Sequence, residues 1–206
     1  MLVRYPPSAI MTLPSTPIKY LTEEQVNALT AAFQGWYDST KTRKLRRKRG
    51  RYWLVYLVLR YTGARIGEVL MIDDRTDINY REGEIKLVTL KQKGRPSRIV
   101  PVPKNVTSEI AVYRAEFPEM SGRIFKIDQA NFRKVFYKLA KEAGIPRELA
   151  HPHTLRHTRA IELLRHGVPV TVVQSLLGHA YLSTTAIYLR ISGQEAKEIL
   201  RDKGLI

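Results

Sequence analysis

The run from Tyr52 to Tyr61, YWLVYLVLRY, presents apolar and aromatic side chains on every side when wound as a helix. A helix with no polar face is stable only when it is covered all round, so this run is expected to be a buried helix with the rest of the chain packed about it. It cannot serve instead as a membrane span, because Tyr52 to Leu59 falls well short of the roughly 20 apolar residues that a bilayer requires. The 206 residues, 44% of them hydrophobic, suffice for one compact domain with a true core, or one domain with a short arm. There is no cysteine, which removes disulfides and thiolate metal sites and is compatible with a cytoplasmic location.

Residues 1–20 contain Pro6, Pro7, Pro14 and Pro17 and read as an extended arm, with the domain proper over 21–206. Thr22 to Gln25 is a capping-box pattern, and Val26, Leu29, Ala32 and Phe33 follow at helical spacing, so a helix of about four turns is expected to end before Lys41. A short second helix is expected near Arg65. Glu84 to Leu90 and Ser97 to Val102 alternate with period two, and Gly94 and Pro96 lie between them, which predicts an antiparallel hairpin. Helical spacing returns over about 106–116, 128–143, 154–166, 169–178, 182–190 and 193–203, with Gly144, Gly167 and Gly178 at helix ends. The pattern predicts a mainly α fold with a small antiparallel β-sheet, of the α+β class.

Thirty-five Lys and Arg against 19 Asp and Glu give a formal charge of +16. Such an excess suits a polyanion, nucleic acid before an acidic membrane surface, and the chain lacks the basic amphipathic helix that a membrane role needs. The segment 41–51, KTRKLRRKRGR, is the densest basic run. It reads as a solvated loop, and equally as a phosphate-contacting segment through Arg43, Lys44, Arg46, Arg47, Lys48 and Arg49, since such loops often order only on DNA. All five histidines fall between His151 and His179. A metal site from His151, His153 and His157 is disfavoured, because Arg156 and Arg159 place positive charge beside it and no carboxylate or cysteine completes the set.

Five separated motifs, TGARIGEVL, KGRPSRIVPV, HTLRHT, LLGHA and TTAIY, in that order over about residues 20–203, resemble the tyrosine recombinases, the phage integrase and Xer-like family. The resemblance implies that family's catalytic-domain fold. It places Arg65 on the first catalytic arginine, Lys93 on the hairpin lysine with Lys91 in reserve, and His153 and Arg156 on the His-x-x-Arg pair. His179 falls on a position that is His or Trp in relatives, Tyr188 on the nucleophile, and Glu68 on an acidic residue that supports the first arginine. His157 is expected to support the site and Arg159 to face DNA. The implied activity is cleavage and rejoining of double-stranded DNA through a 3′-phosphotyrosine intermediate, with no metal and no cofactor. Type IB topoisomerases share the pocket, and a regulator that merely binds DNA on the same fold remains a third reading, although a binder has no need of Tyr188 or Lys93. The resemblance also implies a homo-oligomer on DNA, a tetrameric synapse in which the segment after Gly193 docks on a neighbour. Relatives usually carry an N-terminal helical domain, and only about twenty residues precede the catalytic domain here.

Overall fold

The computed structural model describes residues 18–90 and 94–178, together with Arg201 and Gly204. Among these, the chain runs α1 (Glu23–Asp38), α2 (Arg43–Thr62), α3 (Ile66–Val69), β1 (Ile78–Asn79), β2 (Glu84–Val88), β3 (Ser97–Pro101), α4 (Lys104–Glu116), a 3₁₀ turn (Pro118–Met120), α5 (Gln129–Glu142), α6 (Pro152–Arg165) and α7 (Val170–Leu177). The mainly helical architecture with one small antiparallel sheet is as the patterning predicts. The expected helices over 182–190 and 193–203 and the proline-rich arm lie almost wholly outside the described residues.

The all-apolar run is the inner half of α2. Every residue from Tyr52 to Leu59 is buried, and α1, α4 and α6 pack against that helix. Phe33 of α1 stacks on Tyr56 at a centroid distance of 4.2 Å. The Tyr56 hydroxyl shares a 2.7 Å hydrogen bond with Thr30, so the one polar atom of this ring is satisfied inside the core. A smaller apolar cluster joins α6 to α7 through Ala160, Ile161, Leu164, Val173 and Leu177.

The basic run departs from the loop reading. It forms the first turns of α2, which is capped by Thr42 accepting from the Leu45 amide at 3.3 Å. Arginine and lysine are good helix formers, and their mutual repulsion is relieved by partners some seventy residues away. Arg46 pairs with Glu116 at 2.8 Å, and Arg43 and Arg47 both reach Glu119, at 3.4 and 3.2 Å. Arg46 and Arg49 also lie over the rings of Tyr37 and Trp36. Arg51 donates to the carbonyls of Arg123 and Ile124, each at 2.9 Å.

The sheet has the order β1-β2-β3, antiparallel throughout, with Ile85 opposite Val100 and Leu87 opposite Arg98. The two-residue β1 was not signalled by alternation. The hairpin closes where the Thr89 amide donates to the Pro96 carbonyl at 2.8 Å.

Candidate active site

The segment that bears Arg65 begins where α2 ends. Gly63 takes a left-handed conformation (φ 62°) that stops the helix, and a side chain there would meet Leu177 at 2.6 Å and Arg159 at 3.3 Å. The Thr62 hydroxyl donates to the Val58 carbonyl and accepts from the Ala64 amide at 3.1 Å, shaping the turn. Arg65 is then the N-cap of the four-residue α3. Its backbone amide donates to Glu68 Oε2 at 3.2 Å and its guanidinium to Oε1 at 3.0 Å. Glu68 is buried to 0% side-chain exposure, whereas Arg65 keeps 23%, so the guanidinium is braced from behind and still faces outward.

Arg156 is brought to the same turn from 93 residues away. Its Nη1 donates to the Gly63 carbonyl at 2.9 Å, and its residue exposure is only 2%. The sequence builds this locally: His151 caps α6 by accepting from the His153 amide at 3.1 Å, and Pro152 occupies the first turn. Position 153 and position 156 are then one turn apart on one helix face.

His153 lies beside His157, their rings edge to face at 4.6 Å. Burial, then the neighbouring charges of His157, Arg156, His151 and Arg65, push the His153 imidazole down to about 4. Burial and Arg156 do the same to His157, also to about 4. Both rings are therefore neutral at physiological pH, and His153 can accept a proton. Bound phosphate would raise its basicity, because a nearby negative charge favours the protonated form. Above about pH 7.5 the two imidazoles are neutral folded or unfolded and contribute almost nothing to pH dependence. As pH falls from there towards 4, the unfolded chain takes up protons that the fold excludes, so stability falls. A melting series from pH 7 to 4.5 should show this decline, and it should flatten in the His153→Gln/His157→Gln variant. Parallel curves for the two proteins would assign the decline to other groups.

Arg65 and His153 share an open cleft of about 450 Å³ with Leu90, Gln129, Arg133 and His151. One of these, Arg133, adds a charge that no motif pointed to. Arg133 has its Nε buried with no hydrogen-bond partner among the described residues, and its charge adds to burial in lowering His151.

Arg98 is the larger omission from the sequence reading. Its guanidinium donates to Glu68 Oε2 at 2.7 Å, to Thr89 Oγ1 at 2.8 Å and to the Leu176 carbonyl at 2.8 Å. Arg159, expected to face DNA, lies against Gly63 and pairs with Glu162 at 3.5 Å, its side chain 23% exposed. Lys91, Lys93, His179 and Tyr188 lie outside the described residues.

The remaining DNA-facing candidates cluster at the far end of α2. The rise along this 20-residue helix places them about 20–30 Å from the Gly63 turn. Lys44 and Lys48 are exposed there and have no ion pair among the described residues, unlike Arg43, Arg46 and Arg47. If this end contacts phosphates, Lys44→Ala and Lys48→Ala should each lower the slope of log affinity against log salt by about 0.9. Arg46→Ala should mainly lower stability. Unchanged slopes in both lysine variants would mean that this end is solvated only.

Residues 19–195 match the phage integrase family. The chain belongs to that family. It is 30% identical over 203 residues to the tyrosine recombinase XerA of Pyrococcus furiosus, covering 94% of this chain and 65% of that protein. It therefore spans somewhat under two thirds of that relative's length. Its fold matches a crystal structure of XerA recombinase with TM-score 0.67 and 25% identity, over 97% of this chain and 66% of that one. A XerH site-specific recombinase bound to a palindromic difH substrate matches with TM-score 0.69 and 24% identity, over 88% of this chain and 52% of that one. Arg65, Glu68 and Arg156 thus meet at one turn, and His153 lines the adjoining cleft together with Arg65. Among the described residues no helix is long and apolar enough to cross a membrane.

Proposed function

We propose that this chain carries the catalytic part of a site-specific DNA recombinase, which cleaves and rejoins strands through a 3′-phosphotyrosine on Tyr188 without a metal ion. The observation that carries the proposal is the convergence of two guanidiniums on one turn. Arg156 is anchored to the Gly63 carbonyl and Arg65, two residues on, is braced by Glu68. Both remain charged at any working pH and can hold the two non-bridging oxygens of a phosphodiester. As negative charge grows on those oxygens, each well-placed donor contributes about 3–4 kcal/mol. That supplies the electrostatic work for which many phosphoryl-transfer sites use a divalent cation.

The Tyr188 phenol attacks phosphorus, and the bond from phosphorus to the 5′ oxygen breaks. The phenolic proton passes towards neutral His153, and Lys93 gives a proton to the departing 5′ oxygen. The enzyme is left joined to the 3′ phosphate, and attack by the 5′ hydroxyl of a second strand reverses each step. His179 adds a hydrogen bond to the phosphate. The partner is double-stranded DNA, on which the chain works as a homo-oligomer, with the segment after Gly193 docking on a neighbour.

A nicked duplex that traps the covalent adduct, offered with a second duplex as acceptor, tests this. The adduct and the exchanged strand should both form in excess EDTA. Activity that disappears on chelation and returns with one specific divalent ion would overturn the metal-free mechanism. Relaxation of supercoils without exchange between duplexes would overturn recombination.

A further inference from the structure

Arg98 sits where three segments meet. Through Glu68 it touches the turn that bears Arg65. Through Thr89 it touches the base of the hairpin between whose strands Lys93 lies. Through the Leu176 carbonyl it touches the end of α7, three residues before His179. Its side chain is 9% exposed and Glu68 is fully buried, so the junction is dry and each bond is correspondingly directional. Gly178 ends α7 in a left-handed conformation, and a β-carbon there would stand 2.8 Å from the Arg98 guanidinium. The last turn of α7 is therefore closed directly onto this arginine.

A planar guanidinium with five N–H donors in a fixed fork can bind three acceptors in three directions at once, and a lysine ammonium cannot reproduce that geometry. Stability alone does not require such a junction, since apolar residues of similar volume generally serve a core as well as buried ions do. What the junction does provide is a fixed relation between the hairpin and the arginine turn. We propose that Arg98 is a positioning residue for the cleavage reaction, holding the lysine hairpin in register with Arg65 so that the proton reaches the departing 5′ oxygen. This rests on the reading of Lys93 as the acid.

The test uses single-turnover cleavage of two nicked duplexes, one with the natural 5′ oxygen at the scissile bond and one with sulfur there. A thiolate leaves without a proton. A displacement of about 1 Å in a catalytic group costs on the order of 10²-fold, so Arg98→Met should lose roughly that factor on the natural substrate and regain most of it on the sulfur substrate. DNA affinity should stay within about twofold, because no phosphate contact is removed. In a Lys93→Ala background, Arg98→Met should add little further loss. Thr89→Val, which removes one of the three acceptors, should show a smaller loss with the same rescue, and it guards against Arg98→Met failing to fold. Arg98→Lys should fall closer to Met than to wild type.

Equal losses on both substrates in Arg98→Met and Thr89→Val would overturn the proposal and leave a stabilising role only. If Lys93→Ala itself is not rescued by sulfur, the acid assignment fails. The double variant then decides for Arg98 alone: non-additive losses sustain coupling to the hairpin, and additive losses refute it.

Discussion

Replacing Tyr188 with phenylalanine is expected to abolish the covalent protein–DNA adduct while leaving DNA affinity within about twofold. The substitution removes a single oxygen atom and no charge, so the phosphate contacts that dominate affinity remain. Losing the nucleophile of a covalent mechanism commonly costs 10⁴-fold or more, which takes the adduct below detection on a denaturing gel. Two controls make the result specific. A filter-binding or mobility-shift curve of the variant should overlay that of the wild type, and peptide mapping of the wild-type adduct should place the nucleotide on the fragment containing Tyr188. An adduct persisting in Tyr188→Phe would transfer the role to another of the eleven tyrosines.

Glu68→Ala should produce the largest change in stability. The carboxylate has no side-chain exposure and accepts from the Arg65 amide, the Arg65 guanidinium and the Arg98 guanidinium. Arg98, at 9% exposure, would be left charged, enclosed and short of its counter-ion. Removing one partner of a buried pair costs about 3–5 kcal/mol, and a domain of this size shifts its melting temperature by about 2–4 °C per kcal/mol. A fall of roughly 6–20 °C is therefore expected in a thermal melt. Glu68→Gln retains the shape and one acceptor and should fall less. A loss below about 1 kcal/mol in the alanine variant would mean that solvent reaches the carboxylate and that the two arginines do not depend on it.

The helices were legible where the signal is local. Thr22 and Gln25 form the capping box that their spacing announces, and the hairpin pairs Ile85 with Val100 as its alternation requires. The basic run is a helix and not a loop, and its charge pattern could not show this because Glu116 and Glu119, which neutralise Arg46, Arg43 and Arg47, are distant in sequence. The two-residue β1 is too short to carry a period at all. Motifs singled out Arg65, Glu68, His153 and Arg156, and the fold brings them to one place. What holds them there is a backbone carbonyl at Gly63 and a strand arginine, and neither advertises itself in a motif.

A signal for Arg98 was nevertheless present. It shares the parity of Val100 on β3, the face that turns to the core, and its register partner Leu87 is fully buried. A guanidinium on an inward face demands a buried acceptor, and a lone glutamate in an otherwise apolar stretch, Glu68, was available to supply one.

The two helix ends at Gly63 and Gly178 make the chain's tolerance to change uneven. Neither residue has a functional group to lose, yet each occupies space that its neighbours have already claimed. At Gly63 the claimants are Leu177 and Arg159, and at Gly178 the claimant is Arg98. Both backbones also adopt a left-handed conformation that other residues enter only with strain. Variation is thus constrained as tightly at these empty positions as at the charged ones. Descendants of this sequence can drift over much of the exposed surface, but a single added methyl group at either glycine disturbs the arginines without altering one of them.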